Sequence, residues 1–558
     1  MAILSWHQRQ LNKSYLYNPT ANTLTSILTF IQFLFYLLPL AHVMAGSLLA
    51  IFTALLATTI TIILIQIIRY NRRYTSLHLP PGPPCWPIVG NLFQVIFSGK
   101  HFIHYMQDLR KQYGPILMLR MGFKTMIVIS SPELAYKALI ENSQQFASRP
   151  AESYSRRLFS SNKFTVNSSL YGHEWRSLRR NMVSGMLSTA RIKELRLTRS
   201  RAMDRFIERI RSEAAASPDG QSVWVLRNAR FAVFCILLEM TFGLLDLNEE
   251  HNAQIDAVMK KVLLLTGSRM DDYLPFLKPV FYSHQAKALA VRREQIDTLM
   301  PLINRRRAIL KDCSVDPNAA PFSYLDSLLD LRVEGRDKAP TDDELISLCS
   351  EFINGGTDTT ATAVEWAIAR IADNPSIQCR LYEEIITHVG QSRLVDEKDT
   401  ENMPYLQAFI KEVLRKHPPT HFSLTHAPVH PVSKLGGYDF PPDAGLEIFL
   451  PAISEDPELW SRPNEFDPDR FLTGGETADI TGSAGIRMIP FGAGRRICPG
   501  LALGTMHIAL LVARMVQAFE WWNHPSQPPL DFKDKFEFTV VMKTPLLAMV
   551  KPRVWYGK

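Results

Sequence analysis

From Leu24 to Ile68 the chain is almost continuously apolar and carries no formal charge, with Pro39, His42 and Gly46 near the middle of the run. Val43 to Ile68 alone is longer than the ~20 residues that cross a bilayer. The Arg69-Tyr-Asn-Arg-Arg73 cluster behind it belongs on the cytosolic side. The pattern predicts a basic N-terminal segment over 1–23 and a membrane anchor over 24–68, either one span or a helical hairpin. A cleaved or organelle-targeting leader is the other reading, because the first 30 residues are free of acids and rich in hydroxyls. A basic, proline-rich hinge occupies 69–90. Its segment Leu79-Pro-Pro-Gly-Pro-Pro-Cys-Trp-Pro87 is stiff, since proline fixes φ and keeps the preceding residue out of the helical region.

Over 91–558 the apolar positions fall mostly at helical spacing. Such stretches are Glu133 to Asn142, Arg191 to Ala215, Asn252 to Leu265, Ala286 to Lys311, Asp342 to Asp373 and Met403 to Lys416. Short strand patterns occur at Ile116 to Met121, Thr125 to Ser130 and Phe536 to Val541. Residues 314–320 and 473–485 read as solvated loops. The fold class is mainly α with a minor β region, preceded by an N-terminal transmembrane anchor.

Composition changes this picture in two places. The net charge of +8 is compatible with nucleic-acid binding until it is located. No acid precedes Asp108, whereas Arg9, Lys13, Arg69, Arg72, Arg73 and Lys100 do, so the excess flanks the apolar run and the rest is close to neutral. That distribution is membrane topology, and no nucleic-acid partner is expected. The six cysteines, at 85, 235, 313, 349, 379 and 498, show no paired spacing, which fits a reducing, cytosol-facing body without a disulfide framework.

Candidate chemistry concentrates in Phe491-Gly-Ala-Gly-Arg-Arg-Ile-Cys-Pro-Gly500. Pro499 suits the first position of a helix that the run Leu501 to Val512 continues. Cys498 would then sit at the positive end of that helix, where unpaired N–H groups lower a thiol's pKa and make it a metal ligand. Gly492, Gly494 and Gly500 permit tight turns against something flat. Arg496 supplies a cation for an anionic cofactor edge. A second conflict with local propensity lies in Glu351-Phe-Ile-Asn-Gly-Gly-Thr-Asp-Thr-Thr360, where poor helix formers cluster within a long helical pattern. Glycine there lets a helix pass close over a macrocycle, and the threonine hydroxyls can open a kink or π-bulge. Glu412 and Arg415 stand at i and i+3 on one helix face, and Trp175 and Arg179 one turn apart on another.

The cysteine decapeptide resembles the haem-binding loop of the cytochromes P450, the haem–thiolate monooxygenases, and the similarity runs from about Leu79 to the C-terminus with further motifs in the family's order. The resemblance implies the cytochrome P450 fold and haem b, with Cys498 as the axial iron ligand and Phe491, Gly494, Gly500 and Gly356 against the macrocycle. Trp175, Arg179 and Arg496 would reach its propionates, with His426 a further candidate donor. Thr359 would hydrogen-bond dioxygen or a water beside it, and Asp358 would feed protons toward it. Glu412, Arg415 and Arg470 would form a buried network supporting the cysteine loop.

Electrons would come from NADPH through NADPH-cytochrome P450 reductase, docked on a basic face near Arg495. A hydrophobic small-molecule substrate from the membrane lipid would meet Phe159, Phe164, Phe352, Phe422, Phe538 and Val540, and Lys163 or His421 could anchor a carboxylate. Asn354 to Ala361, His421 to His426 and Lys535 to Lys543 are similar to a plant microsomal group that hydroxylates or epoxidises fatty acids within the chain, including for cutin. The implied location is the endoplasmic-reticulum membrane, facing the cytosol. Alternatives are a monooxygenase of phenolic, terpenoid or other specialised metabolites, a hydroperoxide-rearranging lyase, and a non-catalytic haem protein.

Overall fold

The computed structural model describes residues 76–553, apart from 244–247, 312–320, 431–432 and 473–477, and part of 50–65. Most of the expected anchor, the segment before it and the Arg69 to Arg73 cluster lie outside the described residues. The chain divides into two units, Met1–Ser76 and Leu77–Lys558.

In the larger unit the helices that matter for the site are α1 (Leu92–Phe97), α2 (Phe102–Tyr113), α3 (His173–Arg180), α4 (Arg196–Ala216), α5 (Val225–Phe242), α6 (Glu249–Leu265), α7 (Tyr282–Lys311), α8 (Asp342–Asp373), α9 (Pro404–Lys416) and α10 (Leu501–Ala518). A small sheet has the order β1-β2-β6, with β1 (Ile116–Met121) antiparallel to β2 (Lys124–Ile129) and β6 (Ala444–Ile448) parallel to it, Ile127 lying opposite Leu446. A second joins β3 (Ser222–Trp224), β10 (Leu547–Pro552) and β7 (Phe519–Asn523), and β4 (Ser433–Leu435) pairs antiparallel with β5 (Tyr438–Phe440).

The helix α8 starts in a capping box, the Glu344 N–H donating to Thr341 Oγ1 and the Thr341 N–H to Glu344 Oε2. Ile353, Ala361, Val364, Trp366 and Ile368 are fully buried along it, so α8 is held by packing and tolerates its poor helix formers. No π-bulge or break opens at the threonines. Thr357 and Thr359 donate to the carbonyls four residues back, at 2.7 and 2.9 Å, while the helix runs unbroken to Asp373. A hydroxyl bond can share a carbonyl with the ladder without displacing the ladder bond.

Phe536 to Val541 is likewise not one strand. It is a hairpin of β8 (Asp534–Phe536) and β9 (Val540–Met542), turned where the Glu537 N–H donates to the Thr539 carbonyl. The helix α10 is long and apolar enough to cross a membrane, but two-thirds of it is buried and it packs as a core helix. Its first residue is Leu501, with Gly500 as N-cap, so Pro499 stands immediately before the N-cap and does not occupy the helix's first position.

Candidate functional site

Two elements define the site: the cysteine loop ahead of α10 and the middle of α8. The loop is fixed by its own backbone, the Cys498 N–H donating to the Phe491 carbonyl at 2.9 Å. At Gly494, φ is +68° and a Cβ would lie 1.7 Å from the Leu139 carbonyl oxygen. Glycine is needed there against backbone, not against a cofactor. Phe491 packs toward Gly504 on α10, and Gly500 has φ −89°, open to any residue.

Cys498 departs from expectation. Burial pushes its thiol above the ordinary value, and the Gly500 N–H and Arg179, which pull the other way, do not overcome it. Helix-end donors alone do not make this sulfur a thiolate; a bound metal's charge would.

On α8 the residue facing open space is Gly355, where a Cβ would meet nothing within 4 Å. Gly356, expected against the macrocycle, packs on α5 instead: its Cβ would lie 2.8 Å from Leu237 Cδ1. Glu351, Gly355 and Thr359 follow at four-residue spacing and all retain accessible surface along one side of an otherwise buried helix.

Asp358 is turned to other work. Its oxygens lie 2.7 and 3.3 Å from Arg230 Nε and Nη2 on α5, and Arg230 also bonds Asp256 on α6. Arg230 is buried, so this carboxylate compensates a buried cation.

The expected propionate donors are largely engaged with backbone. Trp175 Nε1 donates to the Val166 carbonyl at 3.1 Å, and an indole has no second N–H. Arg496 donates to the carbonyls of Ala147 (2.7 Å), Val166 (3.0 Å) and Ser169 (2.6 Å), which leaves two of its five N–H groups. Arg179 has no hydrogen-bond or ion-pair partner among the described residues, and its charge acts on Cys498 and Glu351 together.

Sequence reasoning missed Arg149. Its guanidinium donates to the carbonyls of Asn167 (2.8 Å), Leu424 (3.2 Å) and Thr425 (2.9 Å). Nothing in Ala147-Ser-Arg-Pro150 announces this, because the partners come from distant segments.

These groups fit an anionic cofactor. Burial, with Arg149 and Arg179 nearby, pushes Arg496 down to about 8, and burial pushes Arg149 down to about 10. Arginines that destabilise one another's charge are relieved by an arriving anion. His426 sits beside Arg149 and Arg496, held neutral by burial, and its Nδ1 is buried without a partner. Cys498, Arg179 and Arg496 are each partly buried, and burial is the largest influence on the ionisation of each.

The apolar residues expected to line a pocket are mostly engaged in packing. Phe352 stacks on Tyr324 at 4.7 Å, Phe164 lies under the Arg336 guanidinium at 4.8 Å, and Phe159 packs with Val262 and Leu265 of α6 and Val291 of α7. Phe422 sits between Phe102 and Phe449, and Val540 is buried with its carbonyl on Trp366 Nε1. Only Phe538 is an exposed ring. Lys163 donates to the Pro150 carbonyl at 3.0 Å, and His421 pairs with Asp534 at 2.8 Å, so neither is a free carboxylate anchor.

The supporting cluster is compact. Glu412 and Arg415 are fully buried and doubly bonded at 2.7 Å, and Arg470 Nε reaches Glu412 at 3.1 Å.

Residues 80–551 match the cytochrome P450 family model. The chain is 32% identical to cytochrome P450 89A9 of Arabidopsis thaliana, over 86% of this chain and 95% of that protein. It is 31% identical to flavonoid 3'-monooxygenase of the same plant, over 90% and 98%, and 28% identical to trans-cinnamate 4-monooxygenase of Helianthus tuberosus, over 90% and 97%. A solved zebrafish cytochrome P450 with progesterone has the same fold, with TM-score 0.67, 23% identity, and 81% of this chain and 100% of that one covered.

The chain belongs to the cytochrome P450 family. It is an oxygenase that uses haem b and receives electrons from NADPH through a reductase.

Proposed function

We propose that this cytochrome P450 oxidises fatty acids within the chain, by hydroxylation or epoxidation, at the cytosolic face of the endoplasmic-reticulum membrane. The observation that carries the lipid reading is an exposed apolar rim. Phe93, Ile96 and Phe97 on α1, and Phe276, Val280 and Tyr282 farther along, project around one small core to which Leu92 and Leu274 both belong. Such a patch on a catalytic body suits contact with a bilayer and entry of substrate from it. Because Lys163 and His421 are occupied, the acid end of a substrate is not pinned at either, and apolar contacts set the carbon presented.

Bound haem supplies the activated oxygen, with Cys498 as the proposed iron ligand and Arg179, Arg149, Arg496 and His426 at its carboxylates. Thr359 Oγ1 donates its proton to the Gly355 carbonyl, which leaves its lone pairs as an acceptor on the side of α8 that carries the bare glycine. For Asp358 to pass a proton, Arg230 must release one of its oxygens. The exposed Arg495 and the neighbouring Arg176 flank Tyr171, at 5.7 and 5.9 Å, and form part of the basic face for reductase docking.

A second reading, oxidation of phenolic or terpenoid metabolites, is favoured by the relatives' names, which include flavonoid, cinnamate and drimenol monooxygenases. Reconstitution with reductase and a panel of fatty acids, phenolics and terpenes, with products mapped by mass spectrometry, separates the two. In-chain hydroxy or epoxy fatty acids are expected; turnover of phenolics or terpenes alone selects the second reading.

Thr359→Ala is expected to keep haem but divert about 90% of the electron flow to peroxide, a tenfold or greater loss of coupling. The check is peroxide formed per NADPH consumed, and wild-type coupling would remove Thr359 from the relay.

A further inference from the structure

We propose that Glu351 is a positioning residue for the carboxylate edge of the cofactor: it lays the segment 165–169 along α8 and thereby seats Arg496, through the Val166–Asn167 peptide, and Arg149, on the peptide that follows. The inference rests on the haem reading of this site.

The segment is fastened to α8 at successive turns. Ser161 Oγ bonds Asp343 Oδ2 at 2.6 Å and Ser347 Oγ at 2.8 Å. One turn on, Glu351 accepts the Val166 N–H at 2.8 Å and the Asn167 N–H at 2.6 Å. The next turn is Gly355, the bare one. The fastening works against a local cost, since Ser161, Asn162 and Lys163 adopt φ of 45°, 57° and 75° in succession without a glycine among them.

Carbonyls of the same segment hold the cations. The Val166 carbonyl accepts from both Arg496 and Trp175, the Asn167 carbonyl from Arg149, and the Ser169 carbonyl from Arg496. Glu351 therefore acts on the cofactor's edge through one shared peptide group, Val166–Asn167, whose N–H it holds and whose C=O takes Arg496 and Trp175, while Arg149 sits on the carbonyl of the next peptide. Its carboxyl, pushed up to about 7 by burial, is also one of the few acidic groups facing these arginines, with Glu152 the other on Arg149. Removing it strands two donors that α8 otherwise satisfies. The segment then has no fixed height, and the guanidinium groups lose their seats.

The test is the rate at which full-length holoprotein gives up haem to excess apomyoglobin, measured for wild type, Glu351→Gln, Glu351→Asp and Glu365→Gln. Glu365 is the control: a fully buried carboxylate on the same helix that holds the Leu546 N–H at 3.0 Å and does not touch the segment. Glu351→Gln, which can accept from only one of the two N–H groups, is expected to lose haem about tenfold faster, the lower end of what outer ligand-supporting groups contribute. Glu351→Asp should fall between it and wild type. Glu365→Gln, which keeps an acceptor for the Leu546 N–H, should fold and transfer haem at the wild-type rate.

Haem that remains bound in Glu351→Gln should keep the wild-type reduced-CO band, because the iron ligand is untouched. A wild-type rate in Glu351→Gln, or an equal acceleration in Glu365→Gln, overturns the proposal. If Glu351→Gln does not fold, Glu351→Asp decides: a several-fold faster transfer supports the role and an unchanged rate removes it. A wild-type protein without the thiolate band fails the haem–thiolate reading itself, and this proposal with it; a normal wild-type band with unmoved variants fails the role of Glu351 alone.

Discussion

Cys498→Ala abolishes the red-shifted absorption band of the reduced, CO-bound protein and lowers haem retention by more than any other single substitution in the site. The expectation follows from what else could take the iron. His507, nine residues on, is buried at 1% exposure on α10 beside Arg199, and burial pushes its imidazole down to about 3. It is part of the packed core and has no path to the loop. His426 has a free Nδ1, but Arg149 and Arg496 share its surroundings and their carbonyl-bound geometry reserves that corner for an anion. Neither histidine can replace the sulfur where the loop holds it, so the band should vanish and not merely shift in intensity. Difference spectroscopy of purified Cys498→Ala against wild type checks this. An unchanged band would place the iron on another residue. Because a thiol is protonated at neutral pH and burial raises this one further, its ligation should release a proton on haem uptake, detectable as acidification of weakly buffered solution when apoprotein is reconstituted.

The long helix and the cysteine loop were legible because each carries a local conflict. Glycines and threonines inside an apolar helical pattern, and glycines around a cysteine ahead of another helix, are poor choices for stability and so point to function. What was not legible depends on which neighbour a residue meets. Gly355 and Gly356 are adjacent and identical in sequence terms, yet one faces open space and the other Leu237, a distinction set by the approach of α5. Asp358 looked free because its partner Arg230 lies 128 positions away. Arg149 and Arg496 work through backbone carbonyls, which every residue has and no motif records. The aromatic positions are not decided by type for a plainer reason: a substrate cavity and a core select the same side chains, so Phe352 against Tyr324 cannot be told from a pocket wall. The strand expected at Phe536 to Val541 has the right alternation, but alternation is indifferent to a turn at Glu537 to Thr539.

Glu412→Ala should leave little folded protein. One carboxylate, 0% exposed, holds both guanidinium groups and the Asp467 N–H, the last at 2.9 Å. Arg415 passes the restraint on, donating to the carbonyls of Ser454, Pro463 and Glu465 at 2.8 to 2.9 Å, and Arg470 donates to that of Ser461 at 2.8 Å. The segment they gather contains Trp460, whose ring lies under both Arg415 and Arg487, at 5.2 and 4.5 Å, and Arg487 bonds the Leu459 carbonyl. Arg487 is four residues before Phe491, so the restraint runs from α9 into the cysteine loop. Without Glu412, two buried cations face each other uncompensated, at a cost of about 3–5 kcal/mol. That is a large part of the ~5–15 kcal/mol that holds a domain folded. Glutamine is no remedy, because its amide would turn an N–H toward a guanidinium. The contrast is Arg380 with Asp469, a two-bond pair at 2.8 Å in which both side chains are about half exposed. Water replaces what Arg380→Ala removes, and the loss should stay below ~1 kcal/mol. Thermal unfolding and haem incorporation of the two variants, side by side, decide the matter. If Glu412→Ala unfolds no earlier than Arg380→Ala, the cluster does not support the loop, and the cysteine must be held by its own turn and α10 alone.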